Sequence, residues 1–459
     1  MNRTRQLAEA VSGISFDALG EPEIEAVRRL LLDHLGVAAA GSVTDSAAVF
    51  RRTMGRFAHD ESASLPVIGA GASAAAVPAA MANAVAGHSI EYDDVHNSSS
   101  SHPGVVMYPA AMAATALAGG DERDLVRSVV IGFEVMCRAG RAADPAAHYA
   151  RHFHPTGTIG SLGAAAAAAA AFGLDGAGFN SAVGIAATMA SGSMEFLRDG
   201  AWTKRLHPAL AARNGVEAGL LAADGYVGTD DGICGERGFL ASHSEAPAPE
   251  RLMEGWGQWP LEVVSTSIKR HTCCRYNQGA IDALLAISAA HGLSADDVES
   301  VVIGIPSVAV DIVAEPAATK RRPASVVDAQ FSLPFGAAAA LLWGRAGLAE
   351  YDEARLADPA ALALMDRVGY EVDPTIDRDF PDKWRAWARV TTTGGDTHTQ
   401  RVDDPKGDPG NPFTDDECRE KFDDLASAVY SAGARAAIAE HALSMGAPGS
   451  WKALLDSLT

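Results

Sequence analysis

Cysteine is scarce in this chain: Cys137, Cys234, Cys273, Cys274 and Cys418 are all there is in 459 residues, an odd number that includes an adjacent pair. A disulfide framework does not suit that count, whereas reduced thiols do. No CxxC spacing occurs, so a cysteine-based zinc site has no support. No HExxH metal signature and no GxSxG nucleophile elbow is present either. Long apolar runs are missing as well. The most apolar stretches, Val105 to Gly119 and Ile159 to Gly173, are rich in Ala and Gly, too short for a membrane span, and expected as buried helices. Positive charge is outnumbered, with 37 Lys and Arg against 58 Asp and Glu and a formal net charge of −21. That balance repels nucleic acid and anionic membrane at long range, and it points to a small-molecule partner. Met1 to Phe16 carries Arg3, Arg5 and Glu9 without an apolar core segment, so a cytoplasmic protein without a secretory signal is expected.

What is present predicts two domains, since the length exceeds what one compact core comfortably buries. From Glu21 to Ala40 the residues Ile24, Val27, Leu30, Leu31, Leu35 and Val37 recur at helical spacing, and Pro22 suits a first turn. Ala and Leu dominate up to about Leu240, and the run Ala164 to Ala171 implies closely packed helices. The first half therefore reads as all-α. After Trp259 the character changes. Val298 to Val310 is rich in β-branched residues, and Trp387 to Val402 alternates around Gly394-Gly395 as a hairpin would. Helix-like segments, Asp328 to Trp343 and Ala354 to Val368, lie between them, which makes an α+β second domain. Thr414 and Glu417 have capping-box spacing ahead of a last helical stretch, expected to pack back on the helical part.

Chemistry concentrates in four segments. Gly87 to Gly104 (GHSIEYDDVHNSSSSHPG) holds His88, Glu91, Asp93, Asp94, His96 and His102 between two Ala-rich helices, a setting that shifts pKa values. Taken one residue at a time, Asp93 and Asp94 read first as helix caps and His96 as part of a solvated loop. The second segment runs from Arg151 to Gly157 and contains the HxH pair His152 and His154, without a neighbouring acid. In the third, Lys204 and His207 would share one face of a helix. The fourth runs from Lys269 to Tyr276. Concentrated cations in so acidic a chain suggest a pocket for carboxylates, although solvated surface is the better reading for Arg205 and Arg270. Lys320, Arg321 and Arg322 could join that pocket or be exposed. Carboxylates and imidazoles could also ligate a metal, but the spacings favour metal-free acid-base work. Gly69 to Ala74 matches GxGxxA with Glu91 about twenty residues later, yet the segment before it is short and contains Pro66, so dinucleotide binding is not expected. Cys273 and Cys274 read as buried structural thiols rather than a nucleophile.

In these segments the sequence resembles the MmgE/PrpD family, which includes 2-methylcitrate dehydratase, cis-aconitate decarboxylase and iminodisuccinate epimerase. The blocks occur in order along nearly the whole chain, among them LLLDHLGVAAAG at Leu30, NAVAGHSIEYDDVH at Asn83, HPTGTIGSLGAAAAAA at His154, TKRLHPALAARNG at Thr203 and IKRHTCCRYNQGAIDA at Ile268. The resemblance implies a helical domain of residues 1–265 and 405–459, an α+β lid of residues 266–404, a homodimer, a site in the cleft between domains, and no metal or organic cofactor. By position it assigns catalysis to Glu91, Asp93, His102, His154 and Lys204, and contacts to an anionic carboxylate substrate to Lys269, His207, His271, Arg275, Tyr276 and His96. Four departures touch this set. Glu91 stands in place of the usual Asp of DFDDT and Val95 in place of its Thr. His271 and Gln278 replace the Tyr and His of a KPYPCCRYTH-like segment.

The chemistry follows physically. Removing a proton alpha to a carboxylate, or losing CO2 from a vinylogous acid, builds negative charge that fixed cations stabilise in a water-poor cleft. Lys204 and Lys269 suit that task, and His154 or His102 suits the proton transfer. Dehydration is the first expectation, with epimerisation and decarboxylation as alternatives on the same scaffold. A non-catalytic acid-binding protein is the rival from another class.

Overall fold

The computed structural model describes residues 2–56, 63–198 and 200–459. The helical body is built on α1 (Glu21–Ser42), α2 (Ala76–Gly87), α3 (Gly104–Ala118), α4 (Glu122–Ala143), α5 (Pro155–Ala171) and α6 (Thr203–Ala223). In α1, Pro22 occupies the first turn and Val27, Leu30, Leu31, Leu35 and Val37 are buried, as the periodicity predicts. The alanine run lies inside α5, buried through Ala170. Backbones there nearly touch. A Cβ on Gly215 of α6 would lie 2.2 Å from the Ala164 methyl, and one on Gly163 would lie 2.6 Å from Met136 Cβ of α4. Only small residues permit that approach.

The first half is not all-α. Ser64–Val67 and Ala72–Ala75 pair as a short antiparallel hairpin, and the turn between them holds Gly69 and Gly71, both at positive φ. The GxGxxA element is therefore a chain reversal ahead of α2, where glycine supplies left-handed backbone at no steric cost. Strands of four residues carry too little alternation to be read from sequence. A second small pairing joins Val95 and His96 to Ser267 and Thr266.

Residues from Cys273 to Val390 form a second core around α7 (Arg275–His291), the helix Leu333–Trp343 and a four-stranded sheet. The sheet order is Val368–Val372, Val298–Ile305, Ala386–Thr392, Thr397–Val402, with the first pair parallel and the others antiparallel. The expected β-rich segment and the hairpin around Gly394-Gly395 are both present. Two expected helices are broken. Ser332 caps Leu333–Trp343 and separates it from Val326–Gln330, while Asp358 caps Pro359–Met365 and Val368 already begins a strand. Proline at the first turn of each later helix marks the break.

Thr414 and Glu417 do form a capping box on Asp415–Ala426. With Ala432–Leu443 and Ser450–Ser457 this helix returns to the first core, which holds Phe422, Ile438, Trp451 and Leu454 beside N-terminal residues such as Leu7 and Leu31. The chain crosses between the two cores twice, and the crossings lie side by side: Ile268 N–H donates to the Gly407 carbonyl at 3.0 Å. Gly407 has φ +95° and a Cβ there would sit 1.9 Å from the Ile268 oxygen, so no other residue suits the contact. Val37, Ala40, Ile90, Tyr92 and Leu425, with Leu348 from the sheet unit, pack along the seam. Among the described residues no helix is long and apolar enough to cross a membrane.

Candidate active site

The loop from α2 to α3 carries most of the polar groups. Asp94 accepts the Gly104 N–H at the start of α3, 3.0 and 2.9 Å from its two oxygens, and so acts as a cap. Burial, with Asp93 and Asp33 nearby, holds its carboxyl well above the usual range. Asp93 is different. Its Oδ2 accepts from His88 Nδ1 at 2.7 Å and lies 3.5 Å from His102 Nδ1. Burial alone would raise Asp93, but His88, His102 and Lys269 outweigh it and hold the carboxylate well below its usual value.

His102 Nδ1 donates to the Asp94 carbonyl at 2.7 Å, which fixes the tautomer and leaves Nε2 with a lone pair on a ring that lines the cleft. Burial, opposed by Asp93, lowers its pKa to about 3. His154 immediately precedes α5, and its Nδ1 lies 3.0 Å from His207 Nδ1 on α6, one ring donating to the other. Its ring also stacks on His88 at 5.6 Å. Burial, then the neighbouring His207 and Lys204, push His154 well below its normal value, and burial takes His207 to about 4.

Two buried ammonium groups face this histidine cluster. Lys204, in the first turn of α6, pairs with Glu91 and stands 4.9 Å over the Phe331 ring. Lys269, on the crossing segment, donates to the Glu91 carbonyl at 3.0 Å and lies 3.8 and 3.9 Å from the Glu91 and Asp93 carboxylates. Glu91 sits at φ +54°, left-handed backbone that is rare for a glutamate and is held here by tertiary contacts. Burial opposes its ionisation, yet Lys204 and Lys269 bring its pKa down to about 2. Glu91, His102, His154, Lys204 and Lys269 all line one narrow cleft between the helical body and the sheet unit, with about 50 Å³ of free interior space.

Arg275 and Tyr276, at the start of α7, line the same cleft. Arg275 is already engaged: its guanidinium reaches both oxygens of Asp408 at 2.5 and 2.6 Å and Asn97 at 3.1 Å. Tyr276 stacks on Trp384 at 4.5 Å. His207 adjoins the cleft through His154. His96 and His271 are placed elsewhere. His96 bridges Ser99 at 2.9 Å and Glu262 at 3.0 Å, tying down the loop, and is buried rather than solvated. His271 bonds Asp282 at 3.1 Å, and its backbone N–H and carbonyl are both bound by the Gln278 amide, so the two substituted positions brace each other. Arg205 donates to Ser46, Arg270 to Asp282, and Arg322 to Asp366. Lys320 supports the cleft wall from behind by donating to the Ile312 and Phe331 carbonyls at 2.6 and 2.9 Å.

The apolar lining was not foreseen. Met194, Phe196, Leu197, Ile312, Phe331 and Trp384 come from distant segments and carry no pattern that periodicity could reveal. Cys274 also lines the cleft, but burial raises its thiol above the usual range, and raises that of Cys273 to about 12, which argues against an activated nucleophile. Among the described residues no group of three His, Cys, Asp or Glu is disposed to hold a metal ion. His152 is exposed with φ +59° while His154 is buried, which separates the HxH pair.

Residues 5–252 match the family model of the MmgE/PrpD N-terminal domain, and residues 271–445 match that of the MmgE/PrpD C-terminal domain. The chain belongs to the MmgE/PrpD family. Among similar proteins are a cis-aconitate decarboxylase-like protein of Aspergillus oryzae, 28% identical over 93% of this chain and 91% of its own length, and the cis-aconitate decarboxylase of Homo sapiens, 27% identical over 93% and 88%. The cis-aconitate decarboxylase of Aspergillus terreus is 24% identical over 93% and 89%. In this MmgE/PrpD chain the N-terminal match supplies Glu91, His102, His154 and Lys204, the C-terminal match supplies Arg275, Tyr276 and Trp384, and Lys269 lies on the stretch between them.

Proposed function

We propose that this protein is a lyase that cleaves a bond beside a carboxylate in a small polycarboxylic acid, using its own side chains and no metal or organic cofactor. The observation that supports this most is the convergence of Lys204, Lys269, His102 and His154 from separate segments on one cleft. Two ammonium groups held in place before substrate arrives stabilise an enolate-like charge without reorganising. Neutral histidines beside them can carry a proton once a bound polyanion raises their pKa.

Dehydration stands first on sequence alone; relatives named as cis-aconitate decarboxylases move the balance to decarboxylation of an aconitate-type unsaturated acid. In that reaction the bond to the departing carboxylate breaks and its electron pair forms a new C=C. The electrons of the old double bond move to the carbon alpha to a remaining carboxylate, CO2 leaves, and that carbon takes a proton from His102 or His154. Lys204 and Lys269 hold the charge, and Asp93 and Glu91 set the histidine and lysine geometry. One observation favours the dehydratase reading: in the free protein His102 Nε2 is unprotonated, a base ready to abstract rather than an acid ready to deliver. A cytoplasmic homodimer completes the proposal, and native mass determination reads that state.

Proton and carbon NMR in D2O with cis-aconitate, 2-methylcitrate and iminodisuccinate tests the reading. CO2 loss with one deuterium incorporated identifies a decarboxylase, alkene formation from the hydroxy acid a dehydratase, and deuterium at an inverted centre an epimerase. Binding without turnover of any acid would leave a non-catalytic acid-binding protein. Activity abolished by a chelator and restored by metal would overturn the cofactor-free reading.

A further inference from the structure

The cleft's cations are already balanced. Lys204 pairs with Glu91, Lys269 lies within 3.9 Å of both Glu91 and Asp93, and Arg275 is held in both oxygens of Asp408. Three cationic side chains thus meet three carboxylates before any ligand enters. A ligand bearing three carboxylates would bring its whole negative charge into a dry space that offers no unpaired cation, a costly arrangement. One or two carboxylates bound near Lys204 and Lys269 demand much less.

Apart from Ser100 and Tyr149, whose hydroxyls bond each other at 3.0 Å, the remaining wall has a different character. Val95 contributes methyl groups where a threonine would offer a hydroxyl, and Met194, Leu197, Ile312 and Trp384 extend the apolar surface. Trp384 turns its indole N–H away, donating to the Pro381 and Asn97 carbonyls, so the ring alone is left for contact. Leu197 is 38% exposed, a large aliphatic side chain at the cleft mouth with its surface still uncovered. Apolar area of this kind gains several-fold in affinity for each methylene it covers.

From the paired cations and the apolar wall together we infer that the substrate is an amphiphilic acid, with two carboxylates at the lysine end and an alkyl substituent of a few carbons lying against Ile312, Trp384 and Leu197. This rests on the polycarboxylate lyase reading and narrows its aconitate-type acid to one in which an alkyl group stands where aconitate has its third carboxylate. It excludes a compact tricarboxylate as the preferred ligand and makes Leu197 and Ile312 residues that set specificity by substituent.

Isothermal titration calorimetry on the full chain with two unreactive probes separates the cases. Tricarballylate carries three carboxylates; 2-propylsuccinate has nearly the same skeleton with an alkyl end in place of one of them. The expected result is that 2-propylsuccinate binds at least tenfold more tightly, and that Leu197→Ser and Ile312→Ser each lower its affinity severalfold while succinate changes little. Leu197 is exposed enough for its variant to fold, and circular dichroism verifies both. Tricarballylate binding as tightly or more tightly would overturn this inference and leave the lyase reading standing. Failure of every one of these acids to bind would overturn both.

Discussion

His102 Nδ1 donates to the carbonyl oxygen of Asp94 at 2.7 Å, and Asp94 in turn caps α3 through its side chain. One residue thereby fixes the helix that follows the loop and the tautomer of the ring that faces the cleft. The peptide backbone sets the protonation pattern here, as the other nitrogen of a histidine always feels the bond made by the first.

His102→Gln removes the cleft-facing imidazole nitrogen while retaining a polar side chain of similar reach. Turnover of the best acid found is expected to fall about 10²- to 10⁴-fold, the usual range for loss of a general acid or base. Steady-state kinetics on folded variant checks it, and a fall of less than about threefold would remove His102 from the proton path.

Lys204→Met leaves Glu91 buried without its main counter-charge, so stability is expected to fall by about 3 kcal/mol or more. Adding Glu91→Gln removes the stranded charge, so denaturant midpoints should recover in the double variant. Activity should stay low in both, because the cation that holds the developing charge is gone.

Stability should decline as pH falls below about 6.5. His102, His207, His34 and His148 have folded-state pKa values lowered to about 3 to 4, chiefly by burial, against the 6.5 of a free imidazole. Depressed values mean that the unfolded chain binds more protons, so stability is full above pH 6.5 and is lost as pH drops toward 4, by up to about 1.4 kcal/mol per pH unit for each group. Glu91, with its pKa lowered from 4.5 to about 2, adds a further loss below pH 4.5. Urea unfolding midpoints from pH 7.5 to 4.5 read the effect, and a flat profile would contradict the buried neutral histidines.

Gly407→Ala places a methyl 1.9 Å from the Ile268 oxygen on backbone of φ +95°. The crossing must separate to admit it, at about 2 to 4 kcal/mol. A drop in melting temperature, larger than that of Gly433→Ala, where a Cβ meets nothing within 4 Å, is the expected outcome.

Much of this was legible in the sequence, and the reason differs by element. α1, the α5 alanine run and the hairpin around Gly394-Gly395 follow from local periodicity and turn chemistry. The hairpin at Ser64–Val67 and the strand Val368–Val372 did not, because short strands take their identity from partners far along the chain. The site divides in the same way. Lys204, Lys269, His102 and His154 stand out as titratable groups in apolar surroundings, whereas Ile312, Phe331 and Trp384 are ordinary core residues until the fold brings them together. His96 and His271 looked like ligand contacts because of their neighbours in sequence, but Glu262 and Asp282 claim their rings. Nothing in the local sequence announces either partner.

The hydrogen bond between Ile268 and Gly407 joins the outgoing and returning crossings into one double tie between the sheet unit and the helical body. Lys269 and Asp408 are the next residues on either segment, so the ammonium that reaches Glu91 and the carboxylate that holds Arg275 are both anchored at that tie. The charged end of the cleft is thus built on the junction itself. A change that loosens the crossing would weaken the grip on a carboxylate together with the union of the two cores.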